Sequence, residues 1–142
     1  MTILMLVVAI SVSAQTVIYS VAKTQVTLDA TWEDMAVESA SDKHILVIFD
    51  MEKEQIKVTN KDESMFFITH SEELDDIIDE EGDIMKSMYF TCWDEEGNSC
   101  NIGFKWWDNE DITFSDDIET IMSVYNENYW VRYYLMIESY RE

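Results

Sequence analysis

Residues 85–107, MKSMYFTCWDEEGNSCNIGFKWW, decide how this chain folds. At their centre, Asp94-Glu95-Glu96-Gly97 suits a type I turn followed by a glycine in the left-handed region, the three-residue hairpin loop with a G1 bulge. That turn sets Asp94 against Asn98. Cys92 then faces Cys100, Phe90 faces Ile102 and Met88 faces Phe104, so turn chemistry and cysteine placement agree on one register. One face carries Met88, Phe90, Cys92, Cys100, Ile102, Phe104 and Trp106 and reads as core. The other carries Tyr89, Thr91, Trp93, Asn101, Lys105 and Trp107.

The flanking segments repeat the strand pattern. His44–Phe49 (HILVIF) is almost wholly apolar, as in a strand buried on both faces. A charged turn at 50–54 leads into 55–59 (QIKVT), where Ile56 and Val58 alternate with polar neighbours, and a turn at 60–63 leads into Ser64–His70 (SMFFITH). Connections this short make antiparallel neighbours, since parallel strands need long crossovers. Upstream, Val26, Leu28 and Ala30 alternate through a strand over 24–32 with Trp32 as a packing anchor, and 33–43 reads as loop. Downstream, 112–115 is a weak strand. Residues 119–125 and 129–137 flank Asn126-Glu127-Asn128 as a closing hairpin, although 116–124 also admits a helical turn. In 71–83 (SEELDDIIDEEGD), Leu74, Ile77 and Ile78 fall at helical spacing between a capping Ser71 and Gly82. The segment reads as a short helix or, because its carboxylates repel one another, as an irregular acidic loop. The expectation is an all-β fold: a single small antiparallel barrel or sandwich of about six to eight strands, with at most one or two short helical turns.

Composition narrows the function classes. The 142 residues suit one domain, and 47% apolar with 13% aromatic residues suffices for a core. Thirty acids against nine bases give a net charge of −21, which excludes a basic surface for nucleic acid or anionic membrane. Three glycines and no proline cannot make a glycine-rich phosphate cradle or a proline-rich linker.

Residues 1–14, MTILMLVVAISVSA, read as a secretory signal peptide, with an apolar run too short to span a bilayer and small Val12 and Ala14 before the cleavage point. No Lys or Arg precedes the run, so an uncleaved anchor extending to Ala22 and a buried strand stand as alternatives. Cleavage leaves one acidic domain, 15–142, placed in the periplasm or outside the cell with no remaining membrane attachment. In an exported chain the pair Cys92 and Cys100 favours a structural cross-strand disulfide.

The SVSAQ leader end, the ILVIFDMEKEQIKV hairpin, the Cys92–Cys100 turn and the C-terminal YWVRYYL strand together resemble small secreted β-proteins of uncharacterised function from Bacteroidota. That resemblance implies a scaffold and brings no activity with it.

Candidate chemistry is sparse. His44 and His70, the two histidines, open and close strands, where exposed neutral histidines are common, and neither sits in a nucleophile motif. Asp75, Asp76, Asp79, Glu80 and Asp83 offer hard oxygen ligands for calcium but do not match EF-hand spacing, and a solvated acidic face accounts for them as well. Tyr89, Trp93 and Trp107 share the outer hairpin face, either as a platform for a sugar ring or protein partner or as a second packed face. No cofactor is indicated. The functional expectation is an exported, non-enzymatic acidic binding protein, inhibitor-like or immunity-like, that engages a basic extracytoplasmic protein or a glycan. The alternatives are a small carboxylate-dependent carbohydrate-active hydrolase, or a cytosolic acidic nucleic-acid mimic if the leader is not a signal peptide.

Overall fold

The computed structural model describes residues 16–27, 36–39, 45–59, 63–109, 111–114, 117–127 and 129–141. They form β1 (Thr16–Thr27), β2 (Ala36–Ser39), β3 (Leu46–Asp50), β4 (Gln55–Thr59), β5 (Glu63–Glu73), β6 (Ile77–Ile78), β7 (Ile84–Trp93), β8 (Ser99–Trp107), β9 (Thr120–Tyr125) and β10 (Trp130–Arg141), with no helix among the described residues. Each main strand pairs antiparallel with the next, in the order β1-β3-β4-β5-β7-β8-β9-β10. The last returns to the first from Thr16↔Arg141 to Thr27↔Trp130. The result is a closed eight-stranded up-and-down barrel, which decides between the barrel and the sandwich. Closure pairs strand edges that an open sheet would expose. β2 adds to β1 beyond the end of β3, and β6 adds to β7 beyond the end of β5.

The central hairpin takes the register read from its turn: Cys92↔Cys100, Phe90↔Ile102, Met88↔Phe104. Alternation then fills the barrel. Val17, Tyr19 and Val21 of β1, Val47 and Phe49 of β3, Ile56 and Val58 of β4, and Met122 and Val124 of β9 all point inward and are buried. At the centre Phe104 meets Phe49 edge-on at 5.6 Å and Phe90 edge-on at 5.7 Å, while Phe49 and Phe90 lie 5.4 Å apart and Tyr19 closes the group at 6.5 Å. An eight-stranded barrel is just wide enough to be filled by side chains or to hold one small ligand. Here the bulk of three phenylalanines and a tyrosine takes the middle.

Several expectations need correction. β1 begins at Thr16, so 16–22, the tail of the anchor alternative, forms half of a barrel strand paired with β3 and β10. The loop expected over 33–43 contains β2. Residues 112–114 form no strand. Thr120–Tyr125 and Trp130–Arg141 pair as the expected closing hairpin, in place of the alternative helical turn. In β3 only Val47 and Phe49 are fully buried. Leu46 and Ile48 face outward and are half-buried, so this strand is one-sided despite its apolar run. The leader 1–14, Trp32 and His44 lie outside the described residues.

The disulfide also needs correction: Cys92 and Cys100 are both free thiols. The physical reason lies in the register itself. The N–H of Asp94 donates to Asn98 O at 2.9 Å, which makes 94/98 a hydrogen-bonded pair, and the two-residue alternation puts 92/100 in the same class. Facing side chains at such positions stand farther apart than at the intervening ones. Both thiols instead sit in the core as small apolar groups. Burial, with Cys100 alongside, pushes the Cys92 thiol up to about 12; burial, with the Asp94 charge, pushes Cys100 up to about 11.

Candidate functional site

With the barrel interior packed, the surface carries what chemistry there is. The last rung between β4 and β5 is Gln55↔Phe67, and the N–H of Ile68 donates to Glu54 O just past it. Beyond that point β5 pairs with β7 alone, and the pairing continues through Glu73↔Met88. The chain then crosses to β6, which makes its own two-rung hairpin with the start of β7, Ile77↔Met85 and Ile78↔Ile84. Residues 69–83 thus extend beyond β4 along the edge of β7, at one end of the barrel, as an arm.

The arm ends in a turn that repeats the central hairpin's chemistry. In Asp79-Glu80-Glu81-Gly82-Asp83, the Asp79 carboxylate accepts from the N–H groups of Glu81 and Asp83, both at 2.9 Å. The Asp79 N–H donates to Asp83 O, and the Gly82 N–H to Asp79 O. In Asp94-Glu95-Glu96-Gly97-Asn98, Asp94 accepts from Glu96 (2.9 Å) and Asn98 (2.8 Å) in the same way. Gly82 and Gly97 have φ of +85° and +84°, which a side chain would strain. Sequence reasoning recognised this turn at 94–97 and missed it at 79–82, although the residues Asp-Glu-Glu-Gly are identical. Leu74, Ile77 and Ile78 at helical spacing masked it.

As strand rather than helix, β6 leaves its apolar side chains in solvent. Ile77 is 59% exposed, Ile78 66% and Leu74 39%. Glu72, Glu73, Asp75, Asp76, Asp79, Glu80 and Glu81 around them are exposed, and Asp83 is partly so. Lys86 Nζ grips Asp76 at 2.9 Å, and this hydrogen bond holds the lysine above its usual range.

The five carboxylates considered for calcium do not act as a set. Asp76 is tied to Lys86, and Asp79 is engaged with backbone N–H groups. The acids whose oxygens gather are Asp79, Glu81 and Asp83, all within 4.8 Å of one another, so Glu81 takes the place expected for Glu80, and Asp75 stays outside. His70 is exposed on β5.

Tyr89, Trp93 and Trp107 do share the outer face, but each has a different aromatic neighbour. Tyr89 stacks on Tyr125 at 5.9 Å, and Trp130 meets Tyr125 edge-on at 5.0 Å. Trp107 lies 6.0 Å from Phe114. Trp93, 47% exposed, pairs across the ladder with Phe67, 38% exposed. Tyr125 and Trp130 could have been found from the closing hairpin, whose turn they flank. At the end of the barrel away from the arm, an open groove of about 790 Å³ runs between the β7–β8 and β9–β10 turns, with Asp94, Glu96 and Glu127 beside Tyr125 and Tyr129. Both ends of the barrel are therefore acidic. No family model, curated protein or solved structure matches this chain.

Proposed function

We propose that this chain is an exported, non-enzymatic binding protein that engages a basic protein through its acidic arm. The observation that carries this reading is the exposure of Leu74, Ile77 and Ile78 within a ring of solvated carboxylates. Nothing in the barrel needs those side chains, because its interior is filled by others. A partner that covers them gains about 1 kcal/mol for each, because a third to two-thirds of each side chain is already buried. The carboxylates select a partner of opposite sign, and a net charge of −21 draws it in from a distance. Removal of residues 1–14 leaves every described strand in place, as an exported barrel requires. A second reading, a glycan ligand, is favoured by the exposed Trp93–Phe67 pair, whose rings offer a stacking surface.

The test compares two peptides of equal charge, one alternating Lys with Leu and one alternating Lys with Ser. The Lys–Leu peptide is expected to bind at least about tenfold more tightly. The Ile77→Ser/Ile78→Ser variant should lose that advantage while keeping the weaker, salt-sensitive attraction. Equal affinity for the two peptides, or an advantage that survives in the variant, overturns the proposal.

A further inference from the structure

The outer face of β7 to β10 contains a second, independent feature. Four strands in register lay out two adjacent rows across this face: Ser87, Lys105, Ile121 and Tyr134, then Tyr89, Gly103, Ser123 and Arg132. Gly103 and Ser123 are small and sit side by side at its centre. The Tyr89 ring lies over Gly103, close enough that an added Cβ would meet it at 3.3 Å, and Tyr125 stacks beside it. Ile121 and Ser123 point away from the barrel axis and are nevertheless buried, at 5% and 6% exposure, because taller neighbours wall them in. What remains is a groove of about 170 Å³ lined by Tyr89, Lys105, Ile121, Ser123, Tyr125 and Arg132.

The charge in that groove is the reverse of the molecule's. Of nine lysines and arginines against thirty acids, two meet here. Lys105 takes no part in the ion pairs Lys57–Glu63 and Lys86–Asp76. Its ammonium reaches over the Phe114 ring at 5.8 Å. Burial and the positive charge of Arg132 push it below the ordinary lysine range. An anion seated between the two would relieve that repulsion and accept charge-assisted hydrogen bonds from both. The rest of the lining is apolar or aromatic: Ile121 lies on β9 between the strands of Lys105 and Arg132, and the two tyrosine rings and Leu74 line it as well. A fully hydrated inorganic anion gains nothing from such a wall, whereas an apolar body attached to a carboxylate does.

We infer that this groove is a binding site for a small organic carboxylate, held by Lys105 and Arg132 at its charged end and by Tyr89, Tyr125 and Ile121 along its body. The two surfaces share Leu74, but the inference does not rest on the basic-protein reading, since the ligand has the opposite charge and Lys105 and Arg132 lie on the barrel wall.

Benzoate titrated into the full chain, with amide chemical shifts as the readout, tests it. Saturable shifts are expected at Gly103 and Ser123, with benzamide, the uncharged isostere, at least about tenfold weaker. Lys105→Gln should lose a similar factor and Lys105→Arg should restore most of it, while amide shifts elsewhere report that both variants remain folded. The absence of saturable shifts at Gly103 and Ser123, equal binding of benzamide, or unchanged benzoate affinity in Lys105→Gln overturns the inference.

Discussion

Replacement of Phe104 by alanine tests the filled barrel most severely. Phe104 is 1% exposed and touches three other rings, Phe49 and Phe90 edge-on and Tyr19 at a tilt. Truncating a buried phenylalanine costs about 3–5 kcal/mol, and the edge-on pairs place this site toward the upper end. Domains of this kind have about 5–15 kcal/mol in total, so the variant should unfold at a roughly 10–20 °C lower Tm or fail to fold. Leu46→Ala, on the half-buried outer side of β3, is the control and should cost less than about 1.5 kcal/mol. Urea denaturation followed by tryptophan fluorescence measures both. A loss below about 1.5 kcal/mol for Phe104→Ala would mean that this ring lines open space. The barrel would then be a ligand container, and the argument that function sits on its outside would fail.

Other outcomes follow from the same geometry. Cys92 and Cys100 should resist alkylation in the native protein and both react on unfolding without reductant, because they are free and buried; two fewer modifications in the unreduced, unfolded protein would show a disulfide. Their thiols rise from 9.0 to about 12 and about 11 in the fold, and Tyr133 rises from 10.0 to about 12 through burial. In each case the folded state holds its proton more tightly than the unfolded one, so this contribution is intact below about pH 9 and falls as pH climbs toward 12. Denaturation midpoints flat across that window would contradict the burial. Gly97→Ala should cost about 1–2 kcal/mol of global stability through its positive φ. Gly82→Ala, in the arm, should raise local amide exchange at Ile77 and Ile78 and leave the global midpoint nearly unchanged; equal global losses would show that the arm and barrel unfold as one unit.

Much of the barrel was legible because alternation and turn chemistry are local. The register of 85–107 followed from one glycine and one aspartate, and QIKVT coincides with β4 residue for residue. What stayed hidden depends on distant partners. β1 runs through TVIYSVA, a stretch whose apolar character continues the leader's, and only pairing with β10 and β3 makes it a barrel strand. β2 exists because β1 outruns β3 and leaves an edge open at 23–26. The arm was misread for a different reason: three apolar residues at helical spacing outweighed a turn signal that was present in plain view. The disulfide failed on a detail of ladder geometry, the class of pair into which the turn places residues 92 and 100. A groove that spans four neighbouring strands, as the one at Lys105 and Arg132 spans β7 to β10, has no signature in linear spacing.

The proposal that the acidic arm is the docking surface is tested most directly by hydrogen exchange on the full chain with and without the Lys–Leu peptide. New protection is expected at Leu74 through Ile78, with unchanged exchange at the β7–β8 turn and loss of the effect in Ile77→Ser/Ile78→Ser. Protection centred on residues 94–98, or spread evenly over the acidic surface, would contradict it.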